Sequence, residues 1–479
     1  MSNSQTTSEP VLTEMKKHMP YLFAFTAFCQ GFGVVLVLQY LSYYVTEYMG
    51  MSLGALAVVL SACTTADFVF TIITGPIVQK TMTRWGQFRP FIITCPFIIV
   101  LGYIVIFYGF KSTDTVMSIM IATCYGLTGF CWQCLTASNN GLLSRVAGAS
   151  ASNRLSITSK NMIAARVAGV FVNMITSPFI QWSTDRGING YLILTLGYGF
   201  LTIFPNIFLF ILTKEYDQYD PNYKAPESPA NVKVLSMYLE TFKNPHFIVF
   251  FISQFVVSVD NYVVMPVNTY YWRYSVGNFS LMGLAGTISV GVGIVAATVM
   301  PPISRRLGKK NSAITAYSLG AVVNVLIAFL TDGNYIAKII LVTCNTFADT
   351  IFGTWGINLY LDIAEYQEYT TGTDMRAFVI SMANMTPRLA AMAGNPFAPL
   401  VLRYAGYDGA SGTMANPFRM CMLIGLTPAT TYVMAALILK FFYKLTDEDA
   451  AMYAEANALK RAAAGGDTFD ASLLVEDDD

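Results

Sequence analysis

Apolar segments recur along the chain at a length that suits a lipid bilayer. A helix needs about 20 mostly apolar residues to cross the hydrocarbon core. Measured against that length, the sequence predicts twelve membrane-spanning helices in an all-α protein. The predicted spans are residues 21–45, 52–78, 90–110, 115–140, 160–182, 190–213, 247–272, 281–302, 312–331, 336–361, 377–403 and 420–443.

One polar stretch, rich in charged residues and proline, separates the sixth span from the seventh. Two bundles of six helices are the plan of many secondary transporters, which bind substrate where the bundles meet. The stretch therefore predicts a linker between two bundles, and a short helix is predicted within the tail at 447–463. The predicted organisation is an N-terminal segment 1–20, a bundle 21–213, a linker 214–245, a bundle 246–444 and a tail 445–479.

Basic residues in the short connections predict the orientation of the chain in the membrane. They concentrate after the second, fourth and eighth spans, and lysine and arginine favour the cytoplasmic side. We therefore expect both termini in the cytoplasm. The N-terminal segment lacks the pattern of a cleavable signal, so the first span would serve as its own insertion signal. The basic residues concerned are Arg84, Arg89, Arg145, Arg154, Arg305, Arg306, Lys309 and Lys310.

The composition agrees with a membrane protein and excludes several other classes. Of the 479 residues 54% are hydrophobic and 12% are charged, whereas soluble domains carry about 25% charged residues. The net charge of zero gives no reason to expect a nucleic-acid partner. The eight cysteines fall mostly in apolar runs and resemble buried hydrophobic residues rather than a disulfide framework. No phosphate-binding glycine loop or histidine cluster is present, so we expect neither an enzyme nor a cofactor.

Five charged residues lie well inside predicted spans, away from the span ends, where a charge costs several kcal/mol unless it is paired or hydrated. For Asp67 and Arg388 the functional hypothesis is a cation or proton site that is electrostatically tied to a substrate site. The alternative is a static buried ion pair that holds the two halves together. The roles of Arg166, Asp260 and Asp349 stay open at this stage.

Aromatic and amide side chains supply further candidates. Trp132 would stack on a sugar ring and Gln133 would bond its hydroxyls, although helix packing is an equally good explanation. Lys160 stands at the beginning of the fifth span, where its amine would reach the interface. The run Tyr270–Trp272 near the end of the seventh span predicts an interfacial aromatic belt.

Two loops resemble those of a known family. Arg84–Pro90 reads R-W-G-Q-F-R-P, and Asp362–Gly372 reads D-I-A-E-Y-Q-E-Y-T-T-G. With the span count and linker, they resemble the glycoside–pentoside–hexuronide:cation symporters over residues 20–445. The resemblance implies a major facilitator fold in a bacterial cytoplasmic membrane, and symport of a small polar solute with H⁺ or Na⁺ by alternating access. We expect a monomer whose partners are the solute, the cation and the lipid bilayer.

The same loops predict a cytoplasmic gate. Arg84 and Arg89 on one half would pair with Asp362 and Glu365 on the other half in one state and separate in the next. Such a bistable contact is what alternating access requires. The alternative is that these arginines are surface charges that follow the positive-inside rule.

The resemblance also implies a cation-coupling site on the second helix, although this sequence differs from the family motif at two positions. The family's helix-two motif has two aspartates a turn apart; Asp67 matches the first, whereas Thr71 stands at the second. A hydroxyl ligand of helix four falls at Phe130. Sodium at Asp67 is therefore disfavoured relative to a proton, although both ions stay open. This ion is the only metal that the sequence leads us to consider.

The implied substrate site has lost its negative charges. The family's melibiose-type sugar aspartates align with Gly31 and Gln133, while its basic residues on helices five and eleven align with Lys160 and Arg388. We therefore expect an anionic solute such as a hexuronide or a glucuronide conjugate, contacted by Trp132, Gln133, Lys160 and Arg388. A divergent carrier of an amphipathic steroid, terpenoid or lipid conjugate is the first alternative, and a non-transporting membrane sensor is the second.

Overall fold

The computed structural model describes residues 15–148, 150–219, 240–353, 356–372, 376–408 and 413–463. The middle of the predicted linker and the end of the tail lie outside these ranges. Within them the chain is helical apart from one small hairpin, in which β1 (Tyr407–Asp408) pairs antiparallel with β2 (Thr413–Met414).

The α-helices of the described residues are labelled in chain order. A π-helical turn, Leu36–Tyr40, joins α1 to α2, and a 3₁₀ turn, Asn395–Phe397, joins α13 to α14. The helices are α1 Met19–Val35, α2 Leu41–Glu47, α3 Leu53–Lys80, α4 Arg89–Phe107, α5 Asp114–Ala147, α6 Ala151–Thr184, α7 Gly190–Leu212, α8 Pro245–Tyr274, α9 Ser280–Leu307, α10 Lys309–Leu330, α11 Tyr335–Gly353, α12 Gly356–Thr371, α13 Arg376–Gly394, α14 Ala398–Tyr404, α15 Pro417–Phe442 and α16 Asp447–Ala463.

The helices confirm the predicted class of fold. Eleven helical runs in the described part of the chain are long and apolar enough to cross a membrane. They correspond to eleven of the predicted spans, and α13 with α14 occupies the remaining predicted span, 377–403. The cytoplasmic location of the termini stays a prediction. The helix α6 begins at Ala151, before the predicted start of the fifth span at residue 160, so Lys160 lies about 14 Å along the helix.

Side-chain caps explain where several helices begin. The Ser52 hydroxyl accepts a hydrogen bond from the Ala55 N–H at the start of α3, at 3.3 Å. The Asn189 amide oxygen accepts one from the Leu192 N–H at the start of α7, at 3.2 Å. Each cap satisfies a backbone donor that has no partner within its own helix.

The described helices group into two compact units. The first unit comprises the described residues of Met1–Ser228 together with Met265–Gly291 and Asn395–Met420. The second comprises those of Pro229–Val264, Val292–Gly394 and Cys421–Asp479. Each has its own apolar core, with α1, α4 and α5 contributing to the first and α8, α12 and α15 to the second. The predicted bundles 21–213 and 246–444 stay a prediction.

A buried aspartate fixes the loop between α3 and α4. The carboxylate of Asp217, which is fully buried, accepts hydrogen bonds from the N–H groups of Gln87, Phe88 and Arg89, at 3.0, 2.7 and 3.0 Å. Arg145 forms an ion pair with the same carboxylate. The negative charge therefore lies against the positive end of the α4 dipole, where it stabilises the helix and holds the loop.

Gly86 in this loop should be essential for stability. Its φ is +101°, and a Cβ added there would overlap both the backbone and the carboxyl group of Asp217. We expect Gly86→Ala to lower the free energy of unfolding by about 1–3 kcal/mol or more, because backbone strain and the steric overlap act together. Thermal unfolding of the purified protein in detergent would measure the loss.

Gly54→Ala is the matched control. Gly54 lies in α3, and an added Cβ would meet no atom within 4 Å. Its melting temperature should stay the same or rise slightly, because alanine favours helix. Equal melting temperatures for the two variants would contradict the role given to Gly86.

Candidate functional site

Asp67 lies half-buried on α3 in a notch of the first unit. The Tyr125 hydroxyl of α5 donates a hydrogen bond to its Oδ2 at 3.2 Å. Gly129, one turn further along α5, leaves the space that Oδ1 occupies, since an added Cβ would overlap that oxygen. Tyr103 and Cys63 lie close enough to interact electrostatically with the carboxylate. Gly129 and the neutral polar groups of Tyr125, Tyr103 and Cys63 thus line part of the notch around this carboxylate.

The two positions that depart from the family motif, Thr71 and Phe130, make contacts within the helices instead. The Thr71 hydroxyl donates a hydrogen bond to the backbone carbonyl of Asp67 at 2.8 Å. The ring of Phe130 packs edge to face on Phe70, with centroids 5.4 Å apart. Among the described residues no group of three or more His, Cys, Asp or Glu side chains is arranged to hold a metal ion.

The two predicted substrate residues of α5 differ in their exposure within the first unit. Gln133 is buried, whereas Trp132 is half-buried and packs against the apolar core. At Gly31 on α1 an added Cβ would come within 2.9 Å of the Ala168 Cβ of α6. The position that aligns with the helix-one sugar aspartate therefore has no room for a carboxylate, because two helix backbones approach closely there.

Two cationic side chains stand on α6. The Lys160 amine lies 2.9 Å from the Ser156 hydroxyl and 4.9 Å from the centre of the Tyr21 ring. Arg166 is exposed, one turn before Gly169, which packs near Val290 of α9. Neither cation forms an ion pair with any described residue. A guanidinium facing hydrocarbon would cost several kcal/mol, which makes Arg166 a candidate for a functional role.

Arg388 is half-buried on α13 of the second unit, next to Pro387. Asp67 belongs to the first unit. The predicted pairing between Asp67 and Arg388 stays a prediction, and so do the roles of both residues in binding.

The arginines of the predicted gate have partners within the first unit. Arg84 is exposed, and its guanidinium lies 5.2 Å from the centre of the Trp85 ring. Arg89 is buried; its Nε donates a hydrogen bond to the Phe210 carbonyl at 2.8 Å, and its Nη1 donates to the Trp85 carbonyl at 3.0 Å. Arg89 thus contributes to the loop that Asp217 holds.

The acids of the predicted gate have partners within the second unit. Both carboxyl oxygens of Asp362 accept hydrogen bonds from Lys309 at 2.8 Å. The Asn457 amide of α16 donates to the Glu365 carboxylate at 2.9 Å. The tail helix, which the sequence predicted at 447–463, therefore packs on α12. The sequence predicted a loop at Asp362–Gly372, which is wrong, because the chain stays helical to Thr371. The pairing of Arg84 and Arg89 with Asp362 and Glu365 stays a prediction.

A cluster around Glu47 was not identified from the sequence. Glu47 ends α2, and its carboxylate accepts hydrogen bonds from the hydroxyls of Tyr274 on α8 and Tyr407 on β1, the latter at 2.7 Å. Burial, together with the bond to Glu47, holds the pKa of the Tyr407 hydroxyl above its usual value, so this group stays a donor at neutral pH. A cavity of about 420 Å³ borders the cluster and is also lined by Lys111 and Arg273.

The aromatic belt predicted at the end of the seventh span is wrong. Tyr270 and Tyr271 are 0% exposed and Trp272 is 2% exposed. The Tyr270 hydroxyl donates to the Ser42 carbonyl at 3.0 Å and lies 2.6 Å from the Thr46 hydroxyl. These rings join α8 to α2 rather than facing lipid. The available signal was the lone acid two residues after the first predicted span, since a carboxylate there bonds either water or donors from other segments.

The Glu47 carboxylate should keep the end of α2 closed onto α8. Replacing Glu47 with alanine removes the acceptor for two buried hydroxyls, and hydrogen bonds to a charged group are each worth about 1.5–3 kcal/mol. We expect backbone amide exchange in α2 and at the end of α8 to accelerate by roughly tenfold or more. Hydrogen–deuterium exchange with mass spectrometry would measure the rates.

Asp114→Ala is the control for this experiment. Asp114 begins α5 and accepts hydrogen bonds from Ser52, which caps the start of α3. Its loss should leave exchange in α8 unchanged. Unaltered exchange in the Glu47→Ala protein would contradict the proposed closing contact.

Comparisons with known proteins agree with this architecture. A family model described as MFS/sugar transport protein matches residues 22–447. A glucuronide carrier protein homolog of Escherichia coli is 24% identical over 420 residues, covering 85% of this chain and 88% of the relative. A putative sulfoquinovose importer of Salmonella typhimurium is 22% identical over 390 residues, 80% of each chain. The crystal structure of the nucleoside transporter NupG superimposes with a TM-score of 0.62 at 14% identity, covering 89% of this chain and 99% of NupG, which shows a shared fold.

Proposed function

The chain belongs to the MFS/sugar transport protein family, and we propose that it transports an anionic sugar derivative together with protons. Membership makes it a multi-pass membrane transporter and not an enzyme. The observation that carries the finer proposal is the division of charge within the first unit. One carboxylate, Asp67, lies in a polar notch, while Lys160 and Arg166 have no acidic partner among the described residues.

The notch at Asp67 supports a proton as the coupling ion. A sodium ion is held by several oxygen ligands at once. Near Asp67 the Tyr125 hydroxyl already donates to the carboxylate, and the Thr71 hydroxyl donates to a backbone carbonyl. A proton needs only the carboxylate.

The coupling would work through charge balance. We propose that ionised Asp67 and Arg388 attract each other, and that protonation of Asp67 releases Arg388 for an anionic solute. A ligand shifts a conformational equilibrium only through its different affinity for the two states. In this scheme the proton neutralises Asp67 and the anionic solute neutralises Arg388, so the doubly loaded carrier reorients. The empty carrier also reorients, because ionised Asp67 and Arg388 then neutralise each other.

The remaining charges support an anionic solute. Gly31 leaves no room for an acid, and Gln133 is neutral. Lys160, Arg166 and Arg388 supply positive charge. The names of the relatives support the same preference, since a glucuronide carries a carboxylate and sulfoquinovose carries a sulfonate.

The amphipathic alternative has less support. It depends on Phe130 and Trp132 offering apolar surface to a solute. Phe130 packs on Phe70, and both candidate rings lie against the core of the first unit. Competition by steroids and by glycosides in one uptake assay would decide between the two classes.

Asp67→Asn should uncouple transport. In proteoliposomes, we expect accumulation driven by a proton gradient to be lost while exchange of labelled for unlabelled solute continues, because asparagine cannot take up and release the proton. Thr71→Val should change either rate by less than about twofold, since the hydroxyl bonds its own helix backbone. Normal coupling in Asp67→Asn, or sodium-dependent coupling lost in Thr71→Val, would contradict a proton site at Asp67.

Lys160→Gln should weaken binding of anionic solutes selectively. A hydrogen bond to a charged group is worth about 1.5–3 kcal/mol, so we expect the KM for a glucuronide to rise roughly 10-fold or more. The KM for a matched neutral glycoside should change little. Arg186→Gln, at an exposed arginine just after α6, is the control and should leave both values unchanged. An equal rise for both solutes would show that Lys160 supports the structure and not the charge preference.

A further inference from the structure

A polar cluster in the second unit joins α10, α11 and α15. Asp349 of α11 accepts hydrogen bonds from the Tyr432 hydroxyl of α15 at 3.0 Å and from the Asn345 amide at 3.1 Å. The Asn324 amide of α10 donates to the Asn345 carbonyl oxygen at 2.8 Å. Asp349 itself is accessible from the surface of the unit. The cluster therefore directs donors at one carboxylate on the surface of the unit.

A second carboxylate lies behind the first. Asp260 of α8 is 4% exposed, and its Oδ1 accepts no hydrogen bond from any described residue. The two carboxyl groups are close enough to interact electrostatically, and the Thr431 hydroxyl lies within hydrogen-bonding reach of Asp260. The other titratable groups facing the pair are Tyr317 and Tyr432.

The residues on the remaining helices packed against α8 complete the electrostatic setting. Tyr360 of α12 packs on Phe250 of α8 and interacts with Tyr317. Gly394 ends α13 against the Val259 carbonyl of α8, and the same helix carries Arg388 less than two turns earlier.

We propose that Asp260 and Asp349 form a proton-binding site of the second unit, separate from Asp67. Asp349 takes a proton from water and passes it to Asp260, and the pair holds one proton and one negative charge. Release follows the reverse route, so that each proton taken from water returns to water. The inference rests on the proposed transport function but not on the role of Asp67.

Hydrogen bonding decides where the proton resides. Two donors stabilise the ionised form of Asp349, whereas Oδ1 of Asp260 has none among the described residues. Asp260 is 4% exposed, and the Asn261 N–H and the Thr431 hydroxyl offset only part of the cost of ionising it there. Two neighbouring carboxylates also resist ionising together. Asp260 is therefore the protonated member of the pair. A metal ion suits the cluster less well, since the Tyr432 hydroxyl and the Asn345 amide both point hydrogen-bond donors at the Asp349 carboxylate, where a metal ion would need oxygen ligands.

Infrared difference spectroscopy on the purified full-length protein tests the site without any transport. The probe is pH alone, and the signal is the C=O stretching band of a protonated carboxylic acid that disappears as the pH is raised. We expect this band in the wild type, its retention in Asp67→Asn and its loss in Asp260→Asn. Persistence of the band in Asp260→Asn, or its removal by sodium at constant pH, would overturn the proposal.

Asp349→Asn provides a second test in case Asp260→Asn fails to fold. Removing the neighbouring negative charge makes ionisation of Asp260 easier, so the band should disappear at a lower pH than in the wild type. An unchanged midpoint would also overturn the proposal. This test does not measure uptake, so its result is independent of the transport assays. A protein that shows the titrating band but no proton-driven transport would refute the proposed function and leave the proton site in place.

Discussion

Hydrocarbon offers no hydrogen-bond partner, and this constraint governs the placement of every polar side chain between the helix ends. Hydroxyls such as those of Thr64 and Thr71 bond to the backbone carbonyl one turn earlier. Asp67 and Asp349 each accept a hydrogen bond from a tyrosine of a neighbouring helix. Groups that depart from this rule are therefore the ones to explain by function, because structure alone gives no reason to retain them.

Three of the exceptions lie within helices, and two of the hydrogen-bonded networks lie at helix ends. Asp217 accepts hydrogen bonds from the backbone N–H groups of the loop before α4, and Glu47 joins α2 to α8 and the hairpin. Lys160 and Arg166 have no acid nearby, and one oxygen of Asp260 has no donor, among the described residues. Helix ends held by hydrogen bonds, together with unsatisfied polar groups within the helices, suit a carrier. Solute and proton would supply the missing partners during each transport cycle.

Much of this architecture could be predicted from the sequence, because span length follows directly from bilayer thickness. The tail helix was predicted at 447–463 and observed at Asp447–Ala463. The burial of Tyr270–Trp272 could not be predicted, since aromatic residues at a span end look alike whether they face lipid or protein. The capping role of Asp217 was equally hidden, because its partners at Gln87–Arg89 are distant in sequence and only the fold brings them together.

The central claim is that a proton gradient drives the transport of an anionic sugar derivative. The most direct measurement is accumulation of a radiolabelled glucuronide by wild-type proteoliposomes, with an imposed proton gradient or an imposed sodium gradient and the membrane potential clamped at zero. The account predicts accumulation above equilibrium with the proton gradient, its abolition by a protonophore, and none with sodium. Accumulation driven by sodium alone, or simple equilibration under both gradients, would contradict it.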